Sequence, residues 1–357
     1  MDTASAHLAR LGARSRPTGG AAVADARAYC ADTLRALGFG ISEHSFQYSA
    51  FPGAYAAPAF GLAIPTLATL AFATRHTAFA SVAVAVAIVV IWLLIRFTGP
   101  RAVLDGPLMR RAGVNLQAVR GTEMPNVWLV AHLDSKWQPV SMIVRVAGVL
   151  ALGVGLVALA FAVVVRPTVA PIALGLIGLG AIPLVLSVVG DGNDGTLDNA
   201  SGVAAVLEAA TLLPLDYPLG VLVADAEELA LAGARAWARS RSPAIALNCD
   251  SVDDDGPLVV MYTRTKPARL TQALEGAAVK ASEPLRTLRL IPGILTDSVA
   301  LADAGWQSVT LSRGTIRTLQ RIHTARDTLG GMRGTGIAGA ARVLAGAATE
   351  LSRTELS

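Results

Sequence analysis

Apolar and polar positions follow three different rhythms along this chain, and each rhythm predicts a different kind of element. In residues 23–37 the apolar side chains fall at Val23, Ala26, Cys30, Leu34 and Leu37, the spacing of one helix face, and Gly38 follows as a stop. Residues 41–48 alternate as a half-buried strand does. Residues 127–131 are almost continuously apolar, as a central strand covered on both sides should be. Further strands are predicted at 115–119, 219–224, 245–248, 258–262 and 308–311. Helices are predicted at 203–213, 229–238, 268–281, 298–304 and 334–351. Strands alternating with helices imply an α/β fold, a sheet with helices on both faces.

The third rhythm is no rhythm at all. Residues 57–74, 77–95, 146–165 and 167–190 carry no charged side chain. Each run approaches the roughly 17–25 residues that cross a bilayer as a helix. Arg75-His76 divides the first two runs and Arg166 the second two, so they read as two transmembrane hairpins. Buried core helices are the competing interpretation, and two such pairs in one chain argue against it. The first run, with Pro58, Gly61 and Pro65, is the least regular. Each hairpin crosses twice and returns the chain to the side it left. Residues 1–56, 96–142 and 191–357 can therefore form one domain, with hairpins at 57–95 and 143–190 inserted in it. Arg96, Arg101, Arg110, Arg111, Lys136 and Arg145 flank the hairpins on the domain side, against Arg75 and Arg166 in the opposite turns. Positive charge is retained in the cytoplasm. The chain is thus expected to be an integral, multi-pass protein of the lipid bilayer with its domain cytoplasmic.

Composition agrees with this picture. Of 357 residues, 53% are hydrophobic and 16% charged, against about 25% charged in an average soluble domain. The net charge of +4 comes from scattered arginines, with no basic-aromatic stripe, so a nucleic-acid partner is not expected. Cys30 and Cys249 are far apart and outside any CxxC pattern, which suits a reducing compartment. The polar first fifty residues do not read as a signal peptide. Oligomeric state is left open.

The candidate chemistry lies at the predicted strand ends, where open α/β sheets build their sites. His132 ends the apolar strand, two residues before Asp134, whose carboxylate could fix the imidazole tautomer. Asp198 and Asn199 stand at the mouth of the helix at 203–213, where either could serve as its cap. Glu227 and Glu228 follow the strand at 219–224. As a pair they could be a charged first helical turn, or one metal ligand beside one general base. Asp250 follows the strand at 245–248, and His323 lies in a predicted loop. Oxygen and imidazole ligands without thiolate suit zinc, and one carboxylate shared by two ions is the device of two-metal hydrolases.

The strings AHLDS, LDNASG, AEELALAG, LNCDS and IHTARDTL, in that order between residues 131 and 329, resemble the co-catalytic zinc aminopeptidases. That family also takes in glutamate-carboxypeptidase-like enzymes and glutaminyl cyclases. The Arg16-Pro17-Thr18-Gly19 stretch and the first helix are similar as well. The resemblance implies a mixed, mostly parallel sheet, here with four inserted transmembrane helices. By position it implies that Asp198 bridges two zinc ions, with a cis peptide to Asn199. One zinc would add His132 and Asp250, the other Glu228 and His323. Glu227 would be the general base and Asp134 would orient His132.

Three departures stand out. Thr296-Asp297-Ser298 replaces the Ser-Asp-His common in relatives. The tyrosine that would steady an oxyanion has only Tyr262 as a candidate, and most relatives lack membrane hairpins. The function implied is a membrane-embedded, zinc-dependent metallopeptidase, an aminopeptidase hydrolysing short peptides or N-termini through a zinc-activated water with Glu227 as general base. The alternatives are a single-zinc glutaminyl-cyclase-like aminoacyltransferase, which the string AHLDSK echoes, and a non-catalytic membrane scaffold. Transport through the four helices is disfavoured by their lack of acidic or paired polar residues.

Overall fold

The computed structural model describes residues 3–353 except 77, 122–123 and 292–293. The second apolar run was expected to begin at Thr77, which lies outside the described residues. The chain divides into two compact units, one of residues 1–48, 111–137 and 191–357, the other of residues 49–110 and 138–190.

The first unit is built on eight strands: β1 (Gly40–Ser49), β2 (Arg110–Arg120), β3 (Val127–His132), β4 (Leu219–Ala224), β5 (Ile245–Val252), β6 (Leu258–Tyr262), β7 (Leu285–Arg289) and β8 (Gln307–Arg313). Their order in the sheet is β1-β2-β4-β3-β5-β8-β6-β7. The central strands β4, β3, β5 and β8 run parallel, while β2 on β4 and β6 on β8 are antiparallel. The sheet is therefore mixed, and its parallel centre ends on one edge, where His132 and Asp250 emerge.

Every residue of β3 and β4 is buried, which explains their unbroken apolar sequence. Side-chain parity then sorts the helices. Trp128 and Val130 of β3, Leu222 and Ala224 of β4 and Ala246 of β5 pack with Trp237 of α9 (Ala232–Arg239), Leu301 of α11 (Asp297–Asp303) and Trp306. The Trp128 and Trp237 rings meet edge to face with centroids 4.7 Å apart, a favoured aromatic arrangement. Leu129, Val221, Val223 and Leu247, of opposite parity, are equally buried. On their side lie α8 (Ser201–Leu212) and α13 (Ile337–Arg353), with α1 (Thr3–Leu11), α2 (Ala21–Ala36) and α10 (Ala268–Lys280) around them.

Element boundaries follow the sequence patterns with a few informative shifts. The helix predicted to start at residue 229 begins at Ala232, because Ala226, Ala230 and Leu231 take positive φ and break the helix before it can form. Strand β7 and helices α1, α5 (Pro100–Asp105) and α12 (Ile316–Arg321) carried no recognised pattern.

The second unit contains four helices long and apolar enough to cross a membrane. These are α3 (Phe51–Thr74), α4 (Ala80–Thr98), α6 (Met142–Val164) and the segment Pro167–Val185, whose main part is α7 (Ala170–Val185). Pro58 and Pro65 sit within α3 without ending it. Helix α6 packs on α7, α3 on α7, and α4 on α3. Only 6% of the apolar window of α4 is buried. A core helix of this composition would be covered all round.

Candidate active site

The site is assembled by loops that leave the C-terminal ends of the parallel strands. His132 is the last residue of β3, and Asp250 lies within β5. Asp198 and Asn199 lie in a one-turn irregular segment, Thr196–Ala200, that leads into α8, and the peptide between them is cis. The two residues divide the work expected of either. Asn199 Oδ1 accepts from the backbone N–H of Gly202 at 3.0 Å and of Ser251 at 3.1 Å, while its Nδ2 donates to Cys249 O at 3.0 Å. Asn199 thus satisfies an N–H in the first turn of α8 and ties the helix start to β5. The Asp198 carboxylate is left for other partners.

Those partners are the two histidines. Asp198 Oδ1 lies 3.1 Å from His132 Nε2, and Oδ2 lies 3.0 Å from His323 Nε2. His132 Nε2 is also 3.8 Å from Asp250 Oδ1 and 3.9 Å from Glu227 Oε2. His323 Nε2 is 3.0 Å from Glu228 Oε1. Two groups result, His132 with Glu227 and Asp250, and Asp198 with Glu228 and His323, each with its ligand atoms within 4.8 Å of one another. Asp198 reaches both. All six predicted residues of the cluster, with Asp134, are buried.

Asp134 is placed differently from the expectation. Its carbonyl oxygen, 3.1 Å away, is hydrogen-bonded to His132 Nδ1, and its nearer carboxylate oxygen stands off at 3.6 Å. The carboxylate instead accepts from the backbone N–H groups of Glu227 and Glu228, both at 3.1 Å, and from Thr18 Oγ1 at 3.0 Å. Asp134 therefore holds the imidazole through its main chain and the glutamate pair through its side chain. Among the described residues, no hydrogen bond or ion pair joins Tyr262 to this cluster.

Several supporting residues were not assigned a role from sequence. Asp327 accepts from the N–H of Leu197 at 2.6 Å and of Asp198 at 3.1 Å. The buried Arg16 guanidinium donates to the carbonyls of Leu133, Asp194 and Gly195, each at 2.8 Å, and to that of Leu11. It bridges the strand end that carries His132 to the segment that carries Asp198. Gly195 has φ +59 and no room for a Cβ beside Ser135, so only glycine fits there without strain. Lys136 Nζ lies 2.6 Å from Glu228 Oε2. Arg16 and Asp327 stood in the quoted motifs, but nothing in their spacing marked them as buried.

The electrostatics divide the carboxylates into two kinds. Burial would raise Asp198, yet hydrogen bonds and charge from His132 and His323 outweigh it and hold the group well below the usual carboxylate range. Glu228 is likewise lowered, against its burial, by His323 and Lys136. Glu227 is pushed well above the ordinary glutamate value by burial, with the neighbouring acids Glu228, Asp297 and Asp250 adding to it. His132, despite burial, is driven well above an ordinary histidine by Glu227, Asp134, Asp198 and Asp250. Buried His132 Nε2 and Glu228 Oε1 have no well-formed hydrogen bond. Imidazole nitrogens and carboxylate oxygens turned toward one another in a buried cluster form a donor set that fits a divalent cation, and N/O donors suit zinc. Five residues around the site, Ala226, Ala230, Leu231 and His323 on loops and Ser251 near the end of β5, hold positive φ, a concentration of strain common at functional sites.

A mixed α/β sheet with buried acids and histidines at the ends of its parallel strands defines a metallohydrolase. The chain belongs to peptidase family M28, whose pattern matches residues 116–348. It is a zinc metallopeptidase. Its fold is similar to that of an aminopeptidase from Aneurinibacillus sp. strain AM-1, at 14% identity and TM-score 0.60, covering 97% of this chain and 92% of that one. It is also similar to a zinc aminopeptidase from Bacillus subtilis, at 14% identity and TM-score 0.58, covering 98% and 94%. A glutaminyl cyclase from Macrostomum lignano shares the fold at 13% identity and TM-score 0.55, covering 99% and 90%. No curated protein matches the chain by sequence.

Proposed function

We propose that this protein is a multi-pass membrane aminopeptidase that hydrolyses short peptides or exposed N-termini with two zinc ions. The observation that carries the proposal is the Asp198 carboxylate, whose oxygens face His132 Nε2 at 3.1 Å and His323 Nε2 at 3.0 Å. One carboxylate serving two imidazoles is what a bridged pair of ions requires. His132 and Asp250 would complete one position, and Glu228 and His323 the other. Bound zinc supplies Lewis acidity at the scissile carbonyl and makes a water acidic near neutral pH.

The remaining steps belong to the chain. Asp134 fixes the backbone of Glu227 and Glu228, so the two side chains take different roles. Glu227 Oε2, farther from His132 Nε2 than the nearer Asp198 oxygen, is the general base. It takes a proton from the attacking water and returns it to the leaving amine. Its upward-shifted pKa suits a group that must both accept and release a proton.

The four apolar helices support a bilayer location, and the arginine asymmetry around them supports a cytoplasmic catalytic unit. A cyclase-like aminoacyltransferase using one zinc is the second reading, favoured by the likeness to glutaminyl cyclases. Zinc content of the detergent-purified chain, with turnover of aminoacyl anilides against N-terminal glutaminyl substrates, separates the two. Two zinc ions with anilide hydrolysis are expected. One zinc with cyclisation alone would select the second reading.

A further inference from the structure

The α6–α7 pair is spliced into the chain between two segments of the proposed site. The chain leaves β3 at His132, passes Asp134 and Lys136 and enters α6 at Met142; after α7 it returns and reaches Asp198. The outgoing and returning segments are tied to each other at successive positions. Arg16 joins Leu133 O to Gly195 O, each at 2.8 Å. Farther along, Asn193 Nδ2 donates to Lys136 O at 3.0 Å, and a Cβ on Gly192 would stand 3.1 Å from the Trp137 ring. Next to the helices, Gln138 Nε2 donates to Ser187 O at 3.1 Å. Asn193 is 4% exposed, and its Oδ1 has no hydrogen-bond partner among the described residues. A buried amide with one end unsatisfied costs stability, so packing alone does not account for it. The α3–α4 pair is tied at its base as well, by Ser49 Oγ donating to Leu108 O at 2.5 Å and the Ala50 N–H to Met109 O at 3.1 Å. Its ends, however, continue into β1 and β2, which lie at one side of the sheet and carry none of the site residues.

We infer that Asn193 is a positioning residue for the reaction, an inference that rests on the peptidase reading above. It closes the neck of the α6–α7 pair, so that motion of those helices is not passed along the two segments to Asp134 and Asp198. Asp134 precedes Lys136 closely and holds the N–H groups of Glu227 and Glu228, both at 3.1 Å. Asp198 follows Asn193 on the returning segment. Without the amide, Lys136 O loses its tie to that segment, the two segments part, and Glu227 shifts relative to Asp198. An error of about an ångström in such a constellation costs about 10²-fold in rate. The counterpart bond at the base of the α3–α4 pair has no site residue on either side of it, and turnover does not depend on it.

The test compares three variants of the full-length, detergent-solubilised protein. Asn193→Ala and Asn193→Leu both remove the donor, and Leu keeps a similar shape. Ser49→Ala removes the counterpart bond at the base of the α3–α4 pair. With an aminoacyl anilide, and counted per zinc-loaded chain, kcat should fall about tenfold or more in both Asn193 variants while KM stays within about twofold. Ser49→Ala should keep kcat within about twofold. Hydrogen exchange of the zinc-free protein gives a readout independent of activity. The amides of Glu227 and Glu228 should exchange about tenfold faster in the Asn193 variants, the scale of one lost hydrogen bond, and at the wild-type rate in Ser49→Ala. A merely structural asparagine would lower the thermal midpoint and leave the kcat of folded protein and these two amides unchanged. That result, or equal losses in Ser49→Ala, overturns the inference and leaves the peptidase reading intact. A zinc-loaded wild type without anilide turnover sinks the peptidase reading instead, and exchange at Glu227 and Glu228 still decides whether Asn193 holds the site.

Discussion

Burial treats the acids of this site alike, and their neighbours then set them apart. Asp198 lies between two imidazoles and stays ionised, whereas Glu227 is pushed upward chiefly by burial, which the single imidazole of His132 does not offset and the acids Glu228, Asp297 and Asp250 reinforce. Substitutions at the two should therefore differ in kind. Glu227→Gln should retain zinc and lose about 10²–10⁴-fold in kcat, as expected when a proton acceptor is removed without a ligand. Asp198→Ala should lose zinc from both positions, measured as metal per chain after gel filtration; two retained ions would end the bridging assignment. Asp225, Asp297 and Asp327 are each raised to about 7, in every case chiefly by burial. His132 is raised as well. Groups whose folded pKa is raised add stability at low pH that disappears as pH climbs through the folded value. The zinc-stripped protein should thus melt at a higher temperature near about pH 5.5 than near about pH 8. Zinc should reverse or flatten that slope, because its ligands must be deprotonated to bind. A stripped protein that melts higher near pH 8 would contradict the shifts. At this scale the sequence was readable for the acids and histidines, which are costly to bury and cluster in motifs. It could not say that Asn199 rather than Asp198 meets the N-terminus of α8, or that the carbonyl of Asp134 holds His132. Those choices depend on atoms from β5 and from the loop before α9, which only the fold brings near.

Elements were legible wherever one face is buried. Of the face predicted for α2, Val23, Ala26, Cys30 and Leu34 are buried while Leu37 is half-buried at the helix end, and the unbroken apolar strands β3 and β4 are the sheet's covered centre. Strand β7 escaped notice because Leu285-Arg286-Thr287-Leu288-Arg289 lies at the sheet edge, has no fully buried residue and repeats no helix or strand period. The late start of α9 was equally hidden, since nothing about Ala226, Ala230 or Leu231 announces a positive φ. In the apolar unit, the closest helix approach depends on glycines in α6 and α7. A Cβ on Gly180 would lie 2.6 Å from Gly148 O and 2.6 Å from Leu152 N, whereas one on Gly178 meets nothing within 4 Å. Backbone atoms cannot swing aside as a side chain can. Gly180→Val should therefore lower stability by about 1–3 kcal/mol or more, the usual scale of overpacking. Gly178→Val, on the same helix, should be nearly neutral apart from propensity. Thermal midpoints of the two variants in detergent test this; equal midpoints would mean that α6 and α7 do not pack at Gly180.

For the whole molecule, the proposed bilayer location raises the question of which side holds the catalytic unit. On the proposed membrane reading each hairpin crosses twice, so the segments of that unit share a side, and the arginine asymmetry supports the cytoplasm. Native thiols will not obscure a labelling experiment. Cys30 and Cys249 are both fully buried, and burial raises both thiols, Cys30 to about 12, so little reactive thiolate exists near neutral pH. The unmodified protein should accordingly ignore a maleimide until denatured, when both cysteines react. On that silent background, Ala78→Cys probes the turn between α3 and α4, and Lys280→Cys probes the exposed end of α10, where Lys280 has 78% of its side chain accessible. A membrane-impermeant maleimide added to intact cells should label the cysteine at position 78 and leave that at position 280 unlabelled until the membrane is opened. The reverse pattern would place the peptidase unit outside the cytoplasm and confine its substrates to that side. Labelling of both in intact, sealed cells would mean that the α3–α4 pair does not cross the bilayer, and its apolar surface would then need a protein partner instead of lipid.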